Sequence, residues 1–261
     1  DYTEKIRNFQ ASGFISMINH LISDLLYTRI PGDDIKALFN PFTKYLDDYD
    51  DIDIITLNHD LILEFLLESA TNKKYSDGFS TEQEILKSDD GTPLKVYQNL
   101  FKEDVSLLKL HGSVDTYKYS VFEQKGALMS PTGEEYYFKT RDYYEKQKPV
   151  RHDPETGEAV QTFHWDIKPQ FITGTNKEDL ITKDKMYSDL LRLFERKLKD
   201  CSELLIIGYS FGDEHVNNIL KKAVTDSPKL KKIAHINPSE EFPYETKGKT
   251  LIQLKSINDL K

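Results

Sequence analysis

The stretch Leu204-Leu205-Ile206-Ile207-Gly208-Tyr209-Ser210-Phe211-Gly212-Asp213-Glu214-His215 decides how the rest of the chain is read. Four consecutive apolar residues, too few for a helix and without polar alternation, read as a buried strand. Gly208 and Gly212 bracket a turn. From Asp213 the apolar positions Val216, Ile219, Leu220 and Val224 recur at helical spacing, so a helix over 213–224 follows. Strand, turn, helix is half of a βαβ unit, and a parallel sheet is its natural setting.

Working outward, the same alternation continues. Lys232–Ile236 and Thr250–Leu254 read as strands after the helix, and Met186–Leu198 reads as an amphipathic helix before the opening strand. Further upstream, Ile52–Thr56, Val105–Leu110 and Gln170–Thr173 are strand candidates, and Leu61–Leu67 is helix-like. Residues 1–30 carry a helical apolar stripe, Phe14, Ile15, Ile18, Leu21, Ile22, Leu25 and Leu26, broken at Pro31-Gly32-Asp33. A second helix covers 33–48. The stretch 115–168 differs in texture, being rich in tyrosine, lysine and glutamate with turn signals at 131–133 and 153–157, and reads as an insertion. The expected architecture is α/β: a Rossmann-like, mainly parallel sheet with helices on both faces. To it are added a helical N-terminal part (1–50) and a small insertion (115–168), all within one domain over 1–261.

Composition narrows the function. With 38% hydrophobic and 30% charged residues the chain is globular. The formal net charge of −9 and the lack of a basic stripe argue against direct nucleic-acid binding. No apolar run reaches the roughly 18 residues of a membrane span, and no signal-peptide pattern opens the sequence. A single cysteine, Cys201, excludes a disulfide framework and a cysteine-based zinc site, so no metal and a reducing, cytoplasmic setting are expected. Cys201 itself reads as a buried structural thiol on the face of Leu198.

Ligands of an open parallel sheet bind beyond the carboxyl ends of its strands, and polar clusters gather there. Thr56-Leu57-Asn58-His59-Asp60 follows one strand, His111-Gly112-Ser113 another, Gly208 to Asp213 a third and Asn237-Pro238-Ser239 a fourth. Each alone could be turn or cap chemistry; together they point to one nucleotide-binding rim. His59 and His235 stay unassigned, and His20 reads as packed within its helix. His152 and His164 are too far apart in sequence for a metal pattern.

These segments resemble, in order and separation, those of sirtuin-like (silent information regulator two-like) proteins. Thr56-x-Asn58-x-Asp60 is similar to the family's Thr-x-Asn-x-Asp segment and His111-Gly112 to its catalytic His-Gly. Gly208-Tyr209-Ser210-Phe211-x-Asp213-x-His215 is similar to the turn of its bacterial branch, and Ile236-Asn237 to its Ile-Asn pair. The family's first turn, Gly-Ala-Gly-x-Ser, has no counterpart in these 261 residues, and neither do the four zinc cysteines of protein-deacylating members.

The resemblance implies an NAD-cleaving domain, with NAD as substrate and no metal. In it Asn58 and His111 are catalytic, His111 as base and Asn58 orienting the ribose or the attacking water. Thr56, Asp60, Gly208, Tyr209, Ser210 and Asn237 hold the nucleotide, with Asn237 at the adenosine end. Asp60 could equally organise its loop and cap the next helix, and Asp213 and His215 are read as capping a helix start. The resemblance further implies a role in bacterial antiphage defence, with homo-oligomers or a separate sensor or activator protein as partners. A non-catalytic NAD or ADP-ribose sensor, a partner-binding module and an NAD-dependent deacylase remain alternatives. One geometric expectation decides much: Asn58, His111, Gly208 and Asn237 should share one cleft.

Overall fold

A computed structural model describes residues 2–27, 32–88, 90–125, 128–141, 149–153, 155–160, 169–172, 181 and 183–259. Two helices lead, α1 (Tyr2–Leu26) and α2 (Gly32–Asp47), followed by β1 (Ile52–Thr56) and α3 (Ile62–Ala70). The short strands β2 (Tyr75–Ser76), β3 (Gly78–Ser80) and β4 (Leu86–Lys87) lead to β5 (Lys95–Leu100), β6 (Val105–Lys109) and the long pair β7 (Gly112–Lys125) and β8 (Leu128–Lys139). After β9 (Val150–His152), β10 (Ala159–Val160) and β11 (Pro169–Phe171), the chain ends on α4 (Lys185–Asp200), β12 (Glu203–Ile207), α5 (Glu214–Asp226), β13 (Lys232–Ile236) and β14 (Thr250–Leu254).

The α/β class holds, but the parallel strands form two sheets of three, ordered β1-β6-β2 and β12-β13-β14. A five-stranded antiparallel sheet, β11-β7-β8-β5-β3, stands beside them, with a small β10-β9-β4 sheet. A mainly parallel sheet therefore does not describe the whole. The reason lies in the tyrosine-rich stretch read as an insertion. Its Tyr117, Tyr119 and Phe138 alternate with polar residues at the period of two, and they pack with Leu86, Leu94, Val96 and Val121 into a core of their own. The strand expected at Gln170–Thr173 is β11, antiparallel to β7; Thr173, Pro31 of the expected break and His164 lie outside the described residues, while Gly32 and Asp33 of that break open α2.

Between the two kinds of sheet lies the main core. Leu190, Leu193, Phe194 and Leu198 of α4 meet Val216, Leu220 and Val224 of α5 over Leu108, Ile206 and Ile233. Each such side chain contributes about 1.5–3 kcal/mol by leaving water. Asp184 caps α4 by accepting from the N–H groups of Met186 and Tyr187. Cys201 is partly buried at the end of α4, where burial pushes its thiol pKa up. Little of the expected stripe of α1 is used: Ile22 and Leu26 pack on Leu61, Val114 and Phe171, whereas Phe14, Ile15, Ile18, Leu21 and Leu25 are exposed. Among its described side chains Ser16 and Ser23 are buried, and the Ser23 hydroxyl donates to the Val114 carbonyl at 3.3 Å.

Two features fix how β6 hands the chain to β7. The first is Gly112, at φ +81°, where a Cβ would stand 2.3 Å from the Gln170 carbonyl oxygen and 2.7 Å from the Tyr187 hydroxyl. Only glycine fits, on backbone conformation and on space alike. The second is a buried charge cluster. Lys109 on β6 pairs with Glu64 of α3 at 3.0 Å. Lys139 at the end of β8 reaches Asp77 at 2.7 Å and both Glu64 and Asp115 at 3.7 Å. Burial alone would raise the Asp115 carboxyl, but the charges of Lys139 and Lys109 outweigh it and hold its pKa below the ordinary value.

Gly112→Ala should lower the unfolding free energy by about 2–5 kcal/mol, the sum of a left-handed backbone penalty and an overpacked contact, read as a fall in urea midpoint at constant slope. Lys139→Met should cost about 3–5 kcal/mol, because it takes the cation from the buried Asp77 and Asp115 carboxylates and leaves Glu64 to Lys109 alone. Since the folded Asp115 pKa lies below the unfolded one, the stability it contributes is complete above about pH 4 and is lost as pH falls further. Acid titration should show that loss in the wild type and a shallower slope in Asp115→Asn.

Candidate functional site

Parallel register puts the expected strand ends side by side. Thr56 is paired with Lys109 across β1 and β6, and Ile207 with Ile236 across β12 and β13, so both sheets present their carboxyl ends as edges. The two edges meet at a histidine pair. Nε2 of His111, just past β6, lies 3.3 Å from Nε2 of His215 in the first turn of α5, and 3.9 Å from Oδ1 of Asp213. His111 is 3% exposed. Its backbone carbonyl accepts from Ile172 at 2.7 Å, and the neighbouring Gly112 admits no other residue, so the imidazole is set by rigid backbone on both sides.

The Asn58 turn lies against the same point. The Val114 N–H donates to the His59 carbonyl at 3.0 Å, and the His59 ring stands 6.3 Å from that of His111 and 5.0 Å from Phe171. Asn58 itself is exposed, its N–H bound to the Thr56 hydroxyl at 3.1 Å. Thr56 thereby shapes the turn. Asp60 accepts from the Ile62 N–H at 3.0 Å at the head of α3, and its carbonyl accepts from the buried Lys109 ammonium. Both contacts organise the loop around Asp60.

The turn after β12 is held from three directions. Tyr209 donates its hydroxyl to Asn217 at 2.9 Å, Asn217 donates to the Phe211 carbonyl at 2.7 Å, and Asn237 donates to the Tyr209 carbonyl at 3.2 Å. Phe211 takes φ +55°, an unfavourable conformation for a bulky residue. Its ring packs within 6.0 Å, centroid to centroid, of Tyr209, His235, Phe242 and Tyr244, which fixes that conformation. Gly208, at φ +63°, has nothing within 4 Å of where a Cβ would stand, so its outer face is open, while its N–H is used by the Ile236 carbonyl at 2.9 Å. Ser210 is exposed beside it.

Asn237 is buried, and its amide is largely occupied. Its oxygen accepts from the N–H groups of Ser239 at 3.0 Å and Glu240 at 2.9 Å, and its nitrogen serves Tyr209. One amide hydrogen remains beyond these bonds. Asn217, Phe242 and Tyr244, which hold the turn, escape sequence reasoning because each looks like ordinary helix or loop. Asp213 does occupy the position before α5, yet its side chain makes no capping hydrogen bond and lies instead near His111. The capping role read for it is therefore not the one seen. The signal available in the sequence was the Asp213-x-His215 spacing just after the glycine-flanked turn.

His111, Asp213 and His215 also present ligand atoms that all lie within 4.8 Å of one another. A cysteine count does not bear on this set, which is two histidines and an aspartate. Among the described residues, no helix is long and apolar enough to cross a membrane.

A search of curated proteins gives no match. The SIR2-like domain family matches residues 53–258, a span that opens inside β1 and holds every residue of the rim described above. The match ties the chain to NAD-related function in general terms. On that coverage of well over half its length, the chain belongs to the SIR2-like domain family.

Proposed function

We propose that this rim binds NAD and hydrolyses its nicotinamide–ribose bond, yielding nicotinamide and ADP-ribose. The observation that carries the reading is a buried imidazole, His111, held between the Asn58 turn and the head of α5 where two sets of parallel strands end.

The chemistry asks little of the leaving group. As the C1′–N bond breaks, its electron pair goes to nicotinamide, which departs neutral, and positive charge builds on the ribose. Water then bonds to C1′ and must lose a proton. His111 accepts that proton, and the 3.3 Å contact to His215 gives it an onward path. Asn58, exposed at the rim, orients the ribose or the water by its amide. Thr56 and Asp60 keep that turn in shape. The open face of Gly208 lets the nucleotide's diphosphate approach the backbone near Ser210, while Tyr209 keeps the turn rigid. Asn237 serves the adenosine end with its remaining amide hydrogen. By resemblance, such cleavage would deplete NAD as a bacterial antiphage response, set off by a separate sensor, an activator or self-association.

Asn58→Ala and His111→Gln should each lower nicotinamide release from NAD at least about a hundredfold, with melting temperatures within a few degrees of wild type. Wild-type release that depends on an added acetylated peptide would point instead to deacylation, and binding of NAD without release would point to a sensor. An active His111→Gln protein would remove the base from the scheme.

A further inference from the structure

We infer that His111, Asp213 and His215 form a binding site for a divalent first-row transition-metal cation, and that this cation switches off the base proposed above. The second half rests on the proposed role of His111; the first does not.

The geometry argues for a shared ion. A tetrahedral centre with metal–nitrogen bonds of about 2.0–2.1 Å sets its ligand nitrogens roughly 3.3 Å apart. The Nε2 atoms of His111 and His215 stand 3.3 Å apart and face each other. The Asp213 carboxylate lies 3.9 Å from the His111 nitrogen, and all three donor atoms fall within 4.8 Å of one another. A small closing movement of one carboxylate brings them to a common centre. Two imidazoles and a carboxylate are the donors that borderline cations such as zinc or cobalt(II) favour, and three protein ligands leave one position open.

The scaffold is fixed where a metal site needs it fixed. His111 is buried and sits next to a glycine that no other residue can replace. Asp213 and His215 are two residues apart at the head of α5, below a turn held by Asn217 and Asn237. The positive end of a helix dipole disfavours a cation, and the Asp213 carboxylate at that end offsets it.

Such a cation and base catalysis exclude each other. Once Nε2 of His111 donates its lone pair to a dication, that nitrogen can take no proton, and the far nitrogen becomes a much weaker base. The site would thus make cleavage sensitive to transition metals without any other change in the fold.

Metal-stripped protein titrated with cobalt(II) should bind one equivalent, give the intense visible absorption of a four-coordinate ion, and release it to zinc. His215→Gln and Asp213→Asn should each weaken cobalt binding at least about tenfold, while His152→Gln, outside the cluster, should not. An absent cobalt spectrum, or one unchanged in His215→Gln, would overturn the site. This readout needs no NAD turnover, so it stands or falls apart from the proposed activity. In wild-type protein that cleaves NAD, saturating zinc should abolish nicotinamide release and a chelator should restore it. Undiminished cleavage with the site full would overturn the switch.

Discussion

Lys109 and Lys139, with Glu64, Asp77 and Asp115, form the constraint on which the remaining geometry depends. These five charges lie under the junction of the parallel and antiparallel parts of the molecule, and all are nearly closed to water. A buried ionic cluster adds little net stability, since the cost of desolvation offsets the attraction. What it does is penalise every other arrangement. A slip of β8 by one residue would send Lys139 to the opposite face and take the cation from Asp77 and Asp115, leaving Lys109 to Glu64 alone. The cluster therefore fixes the end of β6 relative to β7 and β8, and the residue two positions past that end belongs to the candidate site.

That residue, His111, gains its environment from elements far apart in the chain. The β11 backbone holds its carbonyl and forbids a side chain at Gly112, α5 brings His215 to its ring, and the Asn58 turn is bound to β7 through His59. The result is a histidine with little freedom to move, facing a second histidine and a carboxylate. A rigid acid–base group and a metal ligand make the same demands on a fold, since both need their donor atom held within a few tenths of an ångström. One arrangement can therefore serve both uses, though never at once.

The turn after β12 shows the opposite balance. Its sequence looks made for ligand contact, yet most of its polar atoms are spent on itself. Tyr209, Asn217 and Asn237 hydrogen-bond within the loop and over-determine a strained Phe211. What the turn leaves for a ligand is backbone, opened by the missing side chain at Gly208.

The sequence by itself determined the local elements that periodicity dictates. The strands at 52–56, 105–109, 203–207, 232–236 and 250–254 and the helices around them were legible because parallel strands are short apolar runs and their helices repeat at 3.6 residues, although the burial expected over 204–207 is seen only at Ile206, with Ile207 exposed. It also marked which turns carry polar residues, and so Asn58, His111 and the Gly208 turn. It could not show that 112–139 pairs into an antiparallel sheet, because tyrosine-rich alternation fits an exposed hairpin as well as a buried one. Nor could it show that Phe14, Ile15, Ile18, Leu21 and Leu25 of α1 point outward, since a stripe says nothing of what it faces. The packing of whole elements alone lets Lys109 and Lys139 share three carboxylates and brings Asp213 and His215 to the His111 ring. Those contacts join residues up to 104 positions apart, and no local pattern encodes a distance that the packing of whole sheets sets.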